Sequence, residues 1–255
     1  MASDSIPAGL LEALRRAGRV VFLTGSGVSA ESGVPTFRDA MTGLWSRFRP
    51  EELATPEAFR RNPGFVWNWY RERRLKAMQV RPNGAHLAIA RMEDLFPHST
   101  LVTQNVDGLH QRAGSERVVE LHGNLTVWRD HRSGRRVTPD PTPFAAYPAP
   151  GPDGGWLRPD VVWFGESLPR EALAAAEAAL AWCDLLLVVG TSAVVYPAAA
   201  LVGHAAWAGA VTVEVNVEVT PAEVDHRLTG PAGVVLPRLV RAVVSRAGRS
   251  VSRRG

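Results

Sequence analysis

The stretch RVVFLTGSGVSA, residues 19–30, decides the fold. Its opening, RVVFL at 19–23, is the apolar run of a strand covered on both faces. It passes directly into Gly25, Gly27 and Ala30, which fit a G-x-G-x-x-G/A spacing. Glycines there let a pyrophosphate approach the backbone, and the helix N-terminus that follows attracts its charge. The same letters also describe a tight strand–helix turn with no ligand. No second strand ending in an acidic residue follows about 20 residues on, as the dinucleotide fingerprint requires. A dinucleotide's ribose would then be held from elsewhere in the chain.

Similar short runs follow: STLVT at 99–103, RVVEL at 117–121, DLLLVVG at 184–190 and AVTVEVN at 210–216. Helical patterns lie at 7–17, 84–96, 169–182 and 197–208. Strands alternating with helices predict an α/β fold with a doubly wound parallel sheet. Two segments break the alternation. Residues 39–83 carry helical patterns and many aromatics but no clear strand, and 123–155 are rich in Pro, Gly and Arg. Both are expected to form a small lobe inserted into a Rossmann-like part made of 1–38, 84–122 and 156–255, together one catalytic domain over 1–255.

A chain of 255 residues is long enough for such a domain. Its net charge of +4 comes from scattered arginines rather than one stripe, which argues against a specific nucleic-acid partner. The single cysteine, Cys183, rules out an internal disulfide and suits a reducing compartment. The N-terminus lacks the basic-then-apolar order of a signal peptide. The longest apolar stretch is interrupted by Asp184, Gly190, Pro197, His204 and Glu214, so no membrane partner is expected. These features predict a cytoplasmic protein.

Chemistry-bearing residues gather where the predicted strands end. Gln104, Asn105, Asp107 and His110 follow the second strand, and His122, Gly123 and Asn124 the third. Gly190, Thr191 and Ser192 follow the fourth, and Asn216 ends the fifth. In open α/β sheets ligands bind outside the carboxyl ends of the strands. Each residue alone also reads as turn chemistry; their coincidence at one edge points to a common site. His122 is the side chain of this set best suited to act as a base near neutral pH, although a histidine can also cap a turn. GSGVS resembles the G-x-S-x-G nucleophile elbow, but no Asp and His follow it in the order a hydrolase needs. A base without a protein nucleophile suggests that a substrate group attacks.

Seven segments, in order, resemble the sirtuins, the NAD-dependent protein-lysine deacylases: GSGVSAESGVPTFR, PNGAHLAI, TQNVDGLH, ELHGN, RPDVVWFGE, GTSAVVYPAAAL and VEVN. The resemblance implies a Rossmann-like domain with a small lobe built from a helical and a zinc module. It implies NAD as co-substrate and acylated lysine side chains of proteins as partners. Gly25, Ser26, Gly27, Phe37 and Arg38 would line the pyrophosphate and the cofactor loop. Gln104, Asn105 and Asp107 would hold the nicotinamide ribose and carboxamide. Gly190, Thr191, Ser192, Asn216 and Ala232 would hold the adenosine half. His122 would be the general base, with Asn105 also catalytic. Val162, Phe164, Gly165 and Val195 would line the substrate peptide, bound as an added strand. The expected products are nicotinamide, free lysine and O-acyl-ADP-ribose.

Two departures sharpen the expectation. The sequence WNWYRERR at 67–74 places Tyr70 and Arg73 at the Tyr-x-x-Arg spacing of a branch that prefers acidic acyl groups such as succinyl or malonyl. A guanidinium reads a carboxylate with paired N–H donors and a phenol adds one more. An ordinary surface helix with arginine over an aromatic ring has the same letters. The family's two C-x-x-C pairs fall on Asp130, Ser133, Pro150 and Asp153, so no four-thiolate site can form. No zinc is therefore expected, Asp130, His131 and Asp153 offering at most a weak metal site, and the lobe is ordered by Trp128, Trp156 and the prolines or is partly mobile. The remaining alternatives are a sirtuin acting mainly as a deacetylase or ADP-ribosyltransferase, or a non-catalytic NAD-sensing module.

Overall fold

A computed structural model describes residues 6–35, 53–137, 148–192, 198 and 200–251. Phe37, Arg38 and Val195, expected at the cofactor and the substrate, lie outside the described residues. Six parallel strands form the main sheet: β1 Arg19–Thr24, β2 His98–Thr103, β3 Val118–Glu120, β7 Leu185–Val189, β8 Val211–Asn216 and β9 His226–Thr229. Their order is β3-β2-β1-β7-β8-β9. That is the Rossmann arrangement, with its crossover reversal between β1 and β7.

The apolar runs are explained by burial on both faces. Val20 and Phe22 of β1 pack with α1 (Ala8–Arg16), α4 (Gly84–Leu95) and α8 (Ala232–Val251). Val21 and Leu23 of the same strand pack with α6 (Arg170–Leu180) and α7 (Ala200–Trp207). A strand between two helix layers has no polar face to alternate. None of the described helices is long and apolar enough to cross a membrane.

The small lobe joins helices to an antiparallel sheet. Its helices are α2 (Pro56–Arg61) and α3 (Pro63–Gln79), and its strands are β4 (Gly123–Asp130), β5 (Arg136–Val137) and β6 (Leu157–Val161). Asn62 caps α3 by accepting from the Phe65 N–H at 3.1 Å, and Pro63 begins it, where a missing N–H costs nothing. Trp67 of α3 stacks on Trp128 of β4, with ring centroids 4.3 Å apart. The boundary expected at 156 falls just before β6, and β6 pairs with β4 rather than with the parallel sheet. Five of the six parallel strands follow the expected runs. The sixth, β9, and the C-terminal helix α8 were not expected from the sequence.

Candidate active site

The site begins where β1 and β7 part. Gly25 N–H donates to Val189 O at 3.0 Å, and Gly27 N–H donates to Gly190 O at 2.8 Å. A Cβ on Gly25 would lie 2.8 Å from Thr191 Cα, and one on Gly27 2.8 Å from Gly190 Cα. Only glycine permits this approach of two backbones. The strand ends are stitched together further out. Gln104 Nε2 donates to Thr191 Oγ1 at 3.0 Å, and Asn216 Nδ2 donates to Thr191 O at 2.9 Å. Ala232 opens α8 with its side chain buried in the core, so it can offer a ligand only its backbone.

His122 follows β3 and has a defined tautomer. Its Nδ1 lies 3.0 Å from the Gln104 carbonyl oxygen, which can only accept. The proton therefore sits on Nδ1, and the lone pair is on Nε2, free to take a proton. Burial pushes the imidazole below its ordinary pKa, against the pull of the Gln104 carbonyl. The ring is thus a neutral base at physiological pH.

Beside it lies a buried polar cluster. Ser29 Oγ donates to Asp107 Oδ2 at 2.7 Å and accepts from Asn105 Nδ2 at 3.1 Å. It also faces His86 Nε2 at 3.3 Å. His86 Nδ1 accepts the Asn83 N–H at the start of α4, so Nε2 carries the proton and donates to Ser29. The second oxygen of Asp107 accepts from Leu109 N–H at 2.9 Å. Below this, Thr24 Oγ1 donates to Thr103 Oγ1 and faces His110 Nε2 at 3.0 Å. Burial holds His86 at a pKa of about 4 and His110 at about 3, so both are neutral. Asn105 and Asp107 were expected here, whereas Ser29 and His86 were given no role. The signal for them was a serine and a histidine inside GSGVSAES and PNGAHLAI, two of the segments that carry the family resemblance.

Tyr70 and Arg73 lie on α3. Tyr70 is buried, and its Oη accepts from Trp163 Nε1 at 2.9 Å. Burial raises the phenol to a pKa of about 12, although neighbouring Arg73 pulls it down. The Arg73 guanidinium stacks 4.5 Å from the centre of Trp69 and has no carboxylate partner among the described residues. Arg73 remains the cation, even though burial lowers its pKa. At the expected peptide-binding segment, Val162 N–H donates to His122 O at 2.9 Å and Phe164 N–H to Ala54 O at 2.8 Å. Phe164 is half exposed, and Gly165 turns the chain at φ 85°. Ser26 and Ser192 flank the Gly25 and Thr191 positions.

At the positions matched to the family's thiolates, the side chains of Asp130, Ser133 and Asp153 bond within the protein. Pro150 has no donor side chain. Both oxygens of Asp130 are occupied: they accept the N–H groups of Arg132, Ser133, Asp153 and Gly155 at 2.8, 3.2, 3.1 and 3.2 Å. Burial would raise this carboxyl, but the four backbone donors hold it below its ordinary value. Asp153 in turn accepts from Ser133 Oγ and pairs with Arg135. No group of three or more metal-binding side chains occurs among the described residues. Trp156, expected to order the lobe, is half exposed; Asp130 ties its two loops together instead.

The Sir2 family profile matches residues 25–197, which include the residues that follow β1, β2, β3 and β7 but not the ends of β8 and β9. The chain belongs to the Sir2 family. It is 49% identical over 250 residues to NAD-dependent protein deacylase 1 of Pseudomonas aeruginosa, covering 91% of this chain and 97% of that protein. It is 53% identical over 232 residues to the NAD-dependent protein deacylase of Ralstonia nicotianae, covering 89% and 93%. Among solved Sir2 structures, it superposes on a Sir2 homologue–NAD complex with a TM-score of 0.89 at 42% identity, covering 96% of this chain and 97% of that one. A Sir2–p53 peptide–NAD+ complex is matched with a TM-score of 0.78 at 30% identity, over 93% and 98%. The Rossmann-like sheet with its small antiparallel module is thus the Sir2 fold, as the sequence motifs implied.

Proposed function

We propose that this Sir2 protein is an NAD-dependent protein-lysine deacylase that prefers acyl chains ending in a carboxylate, such as succinyl or malonyl. The deacylase part rests on Sir2 membership and on relatives of about half-identical sequence bearing that name. NAD is read into the cleft at the ends of β1 and β7, where Gly25 and Gly27 let the two loops meet closely. When bound, it supplies an electrophilic ribose carbon and nicotinamide as the leaving group. Asn105 and Asp107 hold the carboxamide end, with Ser29 fixing Asp107. Gln104 and Thr191 set the spacing between the two halves of the cleft. His122 Nε2 would accept the proton of a ribose hydroxyl on the bound co-substrate. The Gln104 carbonyl keeps the opposite proton on Nδ1 throughout.

The acyl preference is carried by one observation. Arg73 is a partly buried cation with no carboxylate partner among the described residues, beside the buried phenol of Tyr70. Buried charges are normally paired, and a succinyl carboxylate supplies the pair. The same reading needs no zinc, because Asp130 joins the loops that a metal would join, and it suits a reducing cytoplasm, given the single cysteine. The test is kcat/KM on matched succinyl- and acetyl-lysine peptides. Charge-assisted hydrogen bonds are worth roughly 1.5–3 kcal/mol, about 10- to 150-fold. Arg73→Met should lose that factor on succinyl-lysine and keep or gain activity on acetyl-lysine. Equal loss on both peptides would make Arg73 structural.

A further inference from the structure

We propose that Trp163 is a specificity-positioning residue: its indole N–H occupies one lone-pair site of Tyr70 Oη and leaves the phenolic proton free for the end of the acyl chain. This rests on the reading of Tyr70 and Arg73 as the acyl-end receptor.

The argument is one of donor and acceptor capacity. An indole nitrogen can only donate. At 2.9 Å from Tyr70 Oη, Trp163 Nε1 therefore forces the phenol oxygen to accept. The hydroxyl hydrogen must point elsewhere, and Tyr70 makes no other hydrogen bond among the described residues. A phenol that could turn either way would donate to the acyl chain only part of the time. With the indole in place, it presents its hydrogen beside the guanidinium of Arg73. Two donors without an acceptor among the described residues then select a chain that brings an acceptor, and a carboxylate serves both.

Trp163 is held firmly enough to impose this. Its backbone N–H donates to Glu166 Oε2 at 2.8 Å. The N–H groups on either side, of Val162 and Phe164, are bonded to His122 O and Ala54 O. The Arg158 guanidinium lies 3.3 Å from the ring centre, and Phe59 packs against the ring at 5.4 Å between centroids. Arg158 in turn binds both oxygens of Glu166, at 2.6 and 2.9 Å. The high pKa of Tyr70 keeps the phenol a donor across the working pH range.

The experiment is Trp163→Phe, which removes the N–H and keeps a ring, measured alone and in a Tyr70→Phe background. A neutral hydrogen bond of this kind predicts a loss of about 3- to 10-fold in kcat/KM on succinyl-lysine peptide. The loss should lie in KM, because the acyl end is bound alike in ground and transition states. Acetyl-lysine turnover should hold, and Tyr70→Phe should lose nothing more when Trp163→Phe is added. Equal losses on both peptides, or an undiminished second loss in the Tyr70→Phe background, would overturn the proposal. A measurement on the otherwise intact protein covers the case in which Trp163→Phe misfolds. The Trp163 indole 15N–H resonance should shift on adding succinyl-lysine peptide with a non-hydrolysable NAD analogue, and not with acetyl-lysine peptide; no difference between them overturns it. If Arg73→Met fails to discriminate the peptides, the acidic-acyl reading falls and takes this one with it. If Arg73→Met discriminates and Trp163→Phe does not, only the role of Trp163 falls.

Discussion

At Ser29 every hydrogen-bonding capacity of the hydroxyl is used inside the protein; at Tyr70 one is left over. Ser29 donates to Asp107 and accepts from Asn105 and His86, and those three are themselves held by Leu109, the β2 end and the α4 cap. Tyr70 accepts from Trp163, and neighbouring Arg73 has an aromatic face beneath it but no anion among the described residues. A closed cluster fixes geometry in advance, which is what a site acting on every substrate needs. An open one stores binding capacity for a particular substrate. On the proposed reading, reaction and selectivity sit in separate clusters, and perturbing each should leave a different mark on the ratio of succinyl- to acetyl-lysine turnover.

The largest effect is expected at His122. His122→Ala removes the base for any acyl group and should lower turnover by at least ~10²-fold on both peptides, leaving their ratio unchanged. Near-normal turnover by the folded variant would remove His122 from the mechanism. Ser29→Ala opens the closed cluster. It strands Asp107 Oδ2, His86 Nε2–H and Asn105 Nδ2, at a cost of about 1–3 kcal/mol in stability. Activity should fall on both peptides with the ratio again unchanged, in contrast to Arg73→Met. A changed ratio would mean that the two clusters are not separate.

Acid should act in two ways. The depressed pKa of His122 keeps the base neutral, so the acid limb of kcat should have its midpoint below pH 6.5. His86 and His110 are neutral in the folded protein down to about 4 and 3, whereas unfolded histidines take protons near 6.5. The unfolded state then binds more protons, and stability must decline as pH falls from 6.5 toward 4. A melting temperature that stays flat across that interval would contradict their burial as neutral rings. The smallest effect concerns metal. A strong chelator should change neither melting temperature nor activity, while Asp130→Ala, which strands four backbone N–H groups, should lower the melting temperature. About one tightly held zinc per chain would overturn this.

The sequence exposed the parallel sheet because strands covered on both faces must be apolar throughout, as VVFL and LLLVV are. It hid β9, whose residues His226–Thr229 lie at the sheet edge, partly exposed and without an apolar run. It hid α8 because Pro237 sits inside that helix and reads as a break. Strand β6 was the deepest disguise. LRPDV is buried throughout, yet contains an arginine and an aspartate. Arg158 is compensated by Glu166, and Asp160 by Arg129 and Arg136, pairings that come from distant positions. For the same reason the strand-end residues were legible as a group, but the tautomer of His122 and the direction of the Tyr70 proton were not. Both depend on partners, Gln104 O and Trp163 Nε1, that only the folded chain brings near.

Asp130 has a consequence for where such a protein can work. Clusters of thiolates around a metal are vulnerable to peroxide and electrophiles, which oxidise or alkylate the sulfur. A carboxylate gripping backbone amides has no such chemistry. The chain's one thiol, Cys183, is buried, and burial pushes its pKa up to about 11, far from the reactive thiolate. On the zinc-free reading proposed above, the clasp of the small lobe holds no thiolate for peroxide to attack and no metal for a chelator to remove.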